Sequence, residues 1–121
     1  CCLVPQRKNL SENIRVISII GRFLEHSRIF WFENDNQPCV YIGSADWMRR
    51  NLDRRVEAVT PIEDKILKTK IGKLFDVYLN SRANAWEMNS DGSFSKRIHP
   101  EKTICTQHEL IDLWHTLDKQ I

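Results

Sequence analysis

Hydrophobic residues recur at the spacing of a helix in two stretches of the chain. Within residues 63–80 the apolar positions stand three or four residues apart, which predicts an amphipathic helix over that range. Further on, Thr106 and Glu109 have the spacing of a capping box, in which two side chains satisfy the first N–H groups of a helix. The sequence therefore predicts a last helix, whose inner face carries Leu110, Leu113, Trp114, Leu117 and Ile121.

The segment before His26 is harder to assign, because its composition and its periodicity disagree. It is rich in Ile and Val, as strands are. The periodicity favours a helix over about residues 12–25, with Ser11 as its N-cap and His26 at its C-terminal end. The polar residues that decide this fall at i, i+3, i+7 and i+10, the narrow stripe of an otherwise buried helix: Arg15, Ser18, Arg22 and Glu25.

Strand-like stretches alternate with polar turns in the rest of the chain. Residues 28–33 and 39–42 flank the turn Asn-Asp-Asn-Gln, and residues 83–89 and 93–98 flank Ser-Asp-Gly. Each pair predicts a β-hairpin. Residues 56–62 are strand-like as well, and the mixed order of strands and helices predicts an α/β fold.

Arginine is concentrated in the first half of the chain. The net charge of the 121 residues is +2, but residues 1–55 carry nine Lys or Arg against six acidic residues, and residues 56–121 carry nine against ten. Eight of the first nine are arginines. The planar guanidinium suits carboxylates and phosphates, so an anion site is expected in the first half.

Length and composition bound the class of protein. With 121 residues, 41% hydrophobic and 28% charged, the chain fits one small globular domain and excludes collagen-like and wholly disordered classes. No apolar run reaches the roughly 20 residues that cross a membrane. The four cysteines have no zinc spacing, so reduced thiols in a cytosolic protein are expected. Because the chain lacks an initiating Met and opens in the strand-like run Cys1–Val4, it is interpreted as a piece of a longer protein.

Two neighbouring segments carry the candidate chemistry. His26 and Arg28 point to the same face of an extended segment, where an imidazole can attack phosphorus or protonate an oxygen and a guanidinium can bind two phosphate oxygens. The small residues 43–45 would let backbone N–H groups approach an anion. Asp46 follows them as either a helix N-cap or a catalytic group, with the cap favoured. Glu57 can orient an arginine or the histidine. Three arginines can neutralise a multiply charged ligand: Arg50, Arg54 and Arg55.

These residues carry a resemblance to a known family. The blocks SENIRVISIIGRFLEHSRIFWFE and VYIGSADWMRRNLDRRVE closely resemble the C-terminal catalytic domain of bacterial polyphosphate kinase, over residues 1 to about 62. The resemblance implies a phospholipase D-like α/β fold, with a mixed sheet flanked by helices. It makes residues 1–121 a single C-terminal domain fragment, in which residues 1–62 form the phosphate-site half and residues 63–121 the remainder.

The resemblance also implies an activity. The parent enzyme would transfer the γ-phosphate of ATP reversibly to the end of inorganic polyphosphate, through a phosphohistidine upstream of this chain and with Mg²⁺ bound by residues outside it. His26 would contact the nucleotide phosphates and act in proton transfer. Arg55 and Glu57 match residues of the family's site, and Arg28 and Arg50 match expected phosphate contacts.

The implied parent is a cytoplasmic, ATP-binding phosphoprotein that forms homo-oligomers, with membrane association left open. The isolated chain is predicted to be inactive, because the phosphorylated histidine is missing from it.

Other functions stay open at this point. Arg28 stands where phospholipase D has lysine, which weighs against a phosphodiesterase or nuclease built from two copies. A non-catalytic module that binds polyanions is a third possibility. Nucleic acid is not expected as a ligand, because the basic residues cluster at one place. His108, Asp112 and His115 have helical spacing but no fourth ligand, so no metal site is predicted.

Overall fold

A computed structural model describes residues 3–81, 83–98 and 104–118 of the chain. The chain divides into two compact units, one formed by Cys1–Phe23 with Lys73–Ile121 and the other by Leu24–Gly72. The elements in chain order are β1 (Ile17–Ile19), β2 (Ile29–Phe32), β3 (Cys39–Gly43), α1 (Arg49–Arg54), β4 (Val59–Ile62), α2 (Lys65–Asn80), β5 (Ala85–Met88), β6 (Phe94–Lys96) and α3 (Thr106–Asp118).

The unit Leu24–Gly72 contains a three-stranded antiparallel sheet in the order β2-β3-β4. Its central strand pairs Val40 with Trp31 on one side and with Ile62 on the other, and Val40 is only 1% exposed. The connection between β2 and β3 places Asn34, Asp35 and Asn36 at positive φ, which these residue types tolerate best after glycine. The hairpin predicted between residues 28–33 and 39–42 is confirmed.

The other unit contains a second three-stranded antiparallel sheet, in the order β1-β5-β6. Ala85 on the central strand is fully buried opposite Ile19 of β1. Gly92 turns the β5–β6 hairpin at a φ of 85°, and Asp91 accepts a hydrogen bond from the N–H of Ser93 at 2.9 Å. The second predicted hairpin is therefore confirmed. The α/β class is confirmed too, but the strands belong to two separate antiparallel sheets rather than to one mixed sheet.

The helix predicted over residues 12–25 is wrong. Residues 17–19 form β1 and pair with β5, so that Ile17 faces Glu87 across the strands. The spacing of the polar residues was misleading. Arg15 is exposed because it pairs with the Glu87 carboxylate at the surface, and not because it lies on the outer face of a helix. The strand-like Ile and Val composition was the better guide to this segment.

Ser11 has a different role from the predicted helix cap. It is buried, its hydroxyl donates to the carbonyl oxygen of Val4 at 2.6 Å, and it accepts from the N–H of Arg7 at 3.0 Å. It therefore closes a loop rather than starting a helix. The strand expected at Cys1–Val4 does not include Leu3 or Val4, and the two cysteines lie outside the described residues.

Two of the predicted helices are confirmed with altered starts. Helix α2 begins at Lys65, after Asp64, whose carboxylate accepts from the N–H of Leu67 at 2.8 Å. Helix α3 includes Thr106 in its first turn, and the Thr106 hydroxyl bonds Ser81 and the carbonyl oxygen of Ala83, so the capping-box prediction is wrong in detail.

The inner face predicted for α3 is confirmed only in part. Leu117 is buried, but Trp114 is 53% exposed, and Ile121 lies outside the described residues. Within the part of the chain that the structure describes, no helix is long and apolar enough to cross a membrane.

Candidate phosphate-binding site

His26 and Arg28 lie at the entrance to β2 and contact each other. Nη1 of Arg28 donates to the backbone carbonyl oxygen of His26 at 2.6 Å and lies 2.5 Å from Nδ1 of its ring, while Nη2 lies 3.1 Å from Nε2. The imidazole is exposed, whereas the Arg28 side chain is only 13% exposed. The structure therefore brings together the two residues that the sequence placed on one face.

Asp46 follows β3 and holds the same arginine. Nε of Arg28 donates to Oδ1 of Asp46 at 2.9 Å, and Nη2 donates to the same oxygen. The interpretation of Asp46 as a helix N-cap is wrong, because α1 begins at Arg49 and Met48 holds the N-cap position without a side-chain bond. A nearly buried guanidinium is a stronger partner for a carboxylate than the N–H groups of a short exposed helix.

Glu57 is the centre of a second cluster, formed with Ser44 and Asn51. The Ser44 hydroxyl donates to Oε2 of Glu57 and accepts from the N–H of Ala58 at 3.0 Å, and the Asn51 amide donates to Oε1 at 2.8 Å. Nε of Arg55 lies 3.4 Å from Oε1. Glu57 can therefore orient an arginine, which is one of the two roles expected of it.

These contacts keep Glu57 ionised. Hydrogen bonds from Ser44, and then from Asn51, lower the pKa of the Glu57 carboxyl, and the charges of Arg55 and Arg28 lower that pKa further. Neutral donors thus lower this pKa more than the two arginines do.

The segment between β3 and α1 needs small residues. A Cβ at Gly43 would come within 3.1 Å of the Phe30 ring, tighter than an ordinary packing contact. Ala45 is buried, and Ser44 is short enough to meet both Glu57 and the backbone of Ala58. The chain after β3 therefore passes close to Phe30, and the Asp46 side chain lies within hydrogen-bonding distance of Arg28.

The arginines of α1 differ in their surroundings. Arg49 pairs with Asp53 at 3.1 Å on the helix surface, outside the clusters around His26 and Glu57. Arg50 and Arg54 are exposed, and within the described ranges neither forms an ion pair. Arg55 follows the helix and reaches Glu57. Of the predicted phosphate ligands, Arg55 lies at a cluster, and Arg50 stays an exposed candidate.

Sequence reasoning missed Asn51. It is buried in a helix whose neighbouring side chains are exposed, and it donates to Glu57, yet its place between arginines gives no such signal. A buried amide in an exposed helix can be found only when its partner carboxylate is known.

The donor set fits an anion better than a cation. Among the described residues, no group of three or more His, Cys, Asp or Glu side chains could hold a metal ion. Both carboxylates already accept bonds, Asp46 from Arg28 and Glu57 from Ser44 and Asn51. The side chains here do not fit Mg²⁺.

The fold and the site define the class: an α/β chain in which an exposed imidazole lies beside an arginine that a carboxylate holds. A family model described as "Polyphosphate kinase C-terminal domain 2" matches residues 1–107. The chain belongs to the polyphosphate kinase C-terminal domain family.

Relatives agree with this assignment. Over 116 residues, the chain is 62% identical to a polyphosphate kinase of Prochlorococcus marinus (strain MIT 9313), covering 94% of this chain and 16% of that protein. It is 52% identical over 100 residues to a polyphosphate kinase of Dictyostelium discoideum, covering 83% of this chain and 9% of that protein. The chain thus spans a small part of the curated relatives it matches.

A solved structure has the same fold. The crystal structure of a polyphosphate kinase from Porphyromonas gingivalis matches with a TM-score of 0.90 and 33% identity, over 100% of this chain and 19% of that one. The fold implied by the resemblance is therefore confirmed for this chain.

Proposed function

We propose that this chain is the C-terminal catalytic domain of a polyphosphate kinase, which transfers the γ-phosphate of ATP reversibly to the end of inorganic polyphosphate. The observation that carries the proposal is the exposed imidazole of His26 beside Arg28, in a unit whose Arg55 is held only loosely by Glu57. Membership in the family and its relatives named polyphosphate kinase support it.

The proposed route runs through a phosphohistidine contributed from upstream of this chain. The imidazole nitrogen of that histidine forms a bond to the γ-phosphorus while the bond to the β,γ-bridging oxygen breaks. The electron pair remains on the bridging oxygen, and ADP leaves. A terminal oxygen of polyphosphate then attacks the phosphorus, and the nitrogen recovers its electron pair as the P–N bond breaks.

This chain supplies the surroundings of the transferred group. His26 contacts the nucleotide phosphates and acts in proton transfer at the leaving oxygen. Arg55 binds phosphate oxygens with the guanidinium nitrogens that Glu57 does not engage, and Arg50 adds an exposed positive charge. Glu57, kept ionised by Ser44 and Asn51, sets the direction of Arg55.

Other properties of the parent enzyme are part of the same proposal. It binds ATP or ADP and polyphosphate, contacts this chain through its upstream domains, and works as a cytoplasmic homo-oligomer. Its Mg²⁺ is bound by groups other than the carboxylates of Asp46 and Glu57, because these already accept hydrogen bonds.

The test is His26→Gln in the intact kinase. Loss of the ionisable group is expected to lower kcat by about 10² to 10⁴-fold in both directions, with the KM for ATP changed far less. Full activity of the variant would contradict the role of His26. The 121-residue chain alone is expected to make no polyphosphate, and ATP-dependent chain growth by it would contradict the upstream phosphohistidine.

A hydrolytic assay separates the proposal from a phosphodiesterase. The chain is expected not to hydrolyse a bis-aryl phosphodiester, alone or as a dimer. Hydrolysis that is lost in His26→Gln would assign the site to a phospholipase D-like phosphodiesterase instead.

A further inference from the structure

Arg28 has its nitrogens engaged inside the chain. Nε and Nη2 donate to Asp46, and Nη1 donates to the His26 carbonyl oxygen while lying against the imidazole. A guanidinium has five N–H donors and no acceptor. The contacts therefore use all three nitrogens of the group, so a phosphate would have to displace one of these contacts in order to bind Arg28.

Asp46 determines the direction in which the rest of Arg28 points. The guanidinium is planar and rigid, so holding Nε and Nη2 on one carboxylate oxygen fixes the position of Nη1 as well. The Arg28 side chain is nearly buried, and a charge with so little access to water is costly to leave without a partner. The pair is therefore held firmly where it lies beside His26.

His26 needs such a support, because its ring is exposed. An exposed side chain moves among its rotamers unless contacts select one of them. Among the described residues, Arg28 is the hydrogen-bonding partner of His26. Arg28 approaches both ring nitrogens, with Nη1 beside Nδ1 and Nη2 beside Nε2, so its contacts select the orientation of the ring.

We infer that Asp46 is a positioning residue for His26, acting through the fork of Arg28 to select the ring orientation that meets the transferred phosphate. The catalytic part of this inference rests on the proposed function. The coupling of the three side chains can be observed without it.

The activity test compares two substitutions of Asp46 in the intact kinase. Asp46→Ala leaves the guanidinium without its anchor and is expected to lower kcat by about 10²-fold, with the KM for ATP within about threefold, because misplacing a catalytic group by about 1 Å costs that much. Asp46→Asn is expected to recover most of kcat, because both bonds from Arg28 end on one oxygen, which an amide carbonyl can replace.

Asp53→Ala is the matched control. Asp53 also accepts a bond from an arginine, Arg49, but on the exposed surface of α1. It is expected to leave both kcat and KM unchanged. If Asp46 only stabilised the fold, Asp46→Ala would lower the amount of active enzyme. The molecules that stay folded would keep the parent values of both kcat and KM.

A spectroscopic test uses the 121-residue chain with ¹⁵N-labelled histidine, the His26 signals being assigned by His26→Gln. In the parent chain the His26 shifts should differ from those of free imidazole. In Asp46→Ala they should move toward those of free imidazole, and in Asp46→Asn they should stay near the parent values.

The two tests fail in different ways. An intact protein that makes no polyphosphate would overturn the proposed function, while the nitrogen shifts would still decide whether Asp46 orients His26. An active kinase in which Asp46→Ala leaves kcat unchanged would overturn the positioning role and leave the proposed function intact. His26 shifts that are the same with and without the Asp46 carboxylate would overturn it as well.

Discussion

Two arginine–glutamate pairs, Arg15–Glu87 in one unit and Arg55–Glu57 in the other, are similar in exposure and differ in their geometry. Arg15 and Arg55 are about equally exposed, at 52% and 55% of their side chains, and their partners Glu87 and Glu57 are mostly covered. Arg15 grips Glu87 with two hydrogen bonds, of 2.7 and 3.1 Å. Arg55 lies 3.4 Å from Glu57, beyond the usual length of an N–H···O bond.

The difference lies in what else the carboxylate binds. Glu87 meets a second arginine, Arg97, at 3.6 Å, so its charge is shared between two cations. Glu57 is instead held by the neutral donors Ser44 and Asn51, which leave the Arg55 guanidinium largely open. The first pair ties strand β5 to the segment before β1, and the second presents an arginine. Arg55 therefore keeps more unused donors toward solvent than Arg15 does.

The largest effect that separates the two pairs is expected in catalysis. Arg55→Ala in the intact kinase should lower kcat/KM for ATP by about 10 to 100-fold, the value of one charged hydrogen-bonded contact to phosphate. Arg15→Ala should leave kcat/KM near the parent value. Steady-state kinetics on both variants measures this, and equal losses in the two would remove the distinction between them.

A smaller effect is expected on the stability of the chain. Glu87→Gln removes the charge from the bidentate contact with Arg15 and should lower the free energy of unfolding by about 1 kcal/mol. Urea denaturation of the 121-residue chain measures the change. Phosphate binding by the same variant should be unaltered, and weakened binding would place the Glu87 pair in the site.

The two carboxylates should also respond differently to acid. The pKa of Glu87 is lowered chiefly by the hydrogen bond and charge of Arg15, whereas that of Glu57 is lowered chiefly by Ser44 and Asn51. A lowered pKa contributes stability above the unfolded-state value of about 4.3, and this is lost as the pH falls through the folded-state pKa.

Carboxyl ¹³C titration separates these causes. Arg15→Ala should raise the pKa of Glu87, and Ser44→Ala should raise the pKa of Glu57 more than Arg55→Ala does. If Arg55→Ala had the larger effect on Glu57, the ion pair would be tight, and the contrast between the two units would be wrong.

The smallest effect is expected at Asp53, whose pair with Arg49 lies fully on the surface of α1. Asp53→Ala should change the unfolding free energy by no more than about 0.5 kcal/mol, the usual value of an exposed pair at this spacing. A thermal melt of the chain measures it. A loss above 1 kcal/mol would show that α1 depends on its surface charges.

Local patterns predicted the parts of the fold that local contacts determine. The Asn-Asp-Asn turn marks the β2–β3 hairpin because those residues accept positive φ, and the apolar spacing marks α2. The helix over residues 12–25 was wrong because β1 owes its conformation to β5, which lies far along the chain. A short strand whose partner lies so far along the chain produces only a weak alternation of hydrophobic and polar residues in the sequence.

The same contrast between contacts local in sequence and contacts distant in sequence applies to the candidate site. His26 and Arg28 are two residues apart, and their contact follows from the alternation of an extended chain. The role of Asp46 was misassigned because its partner Arg28 lies before β2, 18 positions earlier in the chain, and Asn51 was missed because its partner Glu57 lies beyond the end of α1. The phosphate-binding roles of His26, Arg28, Arg50, Arg55 and Glu57 stay predictions.

The most direct test of the central claim, that residues 24–72 hold a phosphate-chain site, is a titration of the 121-residue chain with polyphosphate, ATP and sulfate. The fluorescence of Trp47, which stacks on Phe30 directly after Asp46, is the signal. Polyphosphate and ATP should bind more tightly than sulfate, and Arg55→Ala should weaken both by about tenfold or more while Arg15→Ala does not. Equal binding of all three anions, or the same weakening in both arginine variants, would contradict the claim.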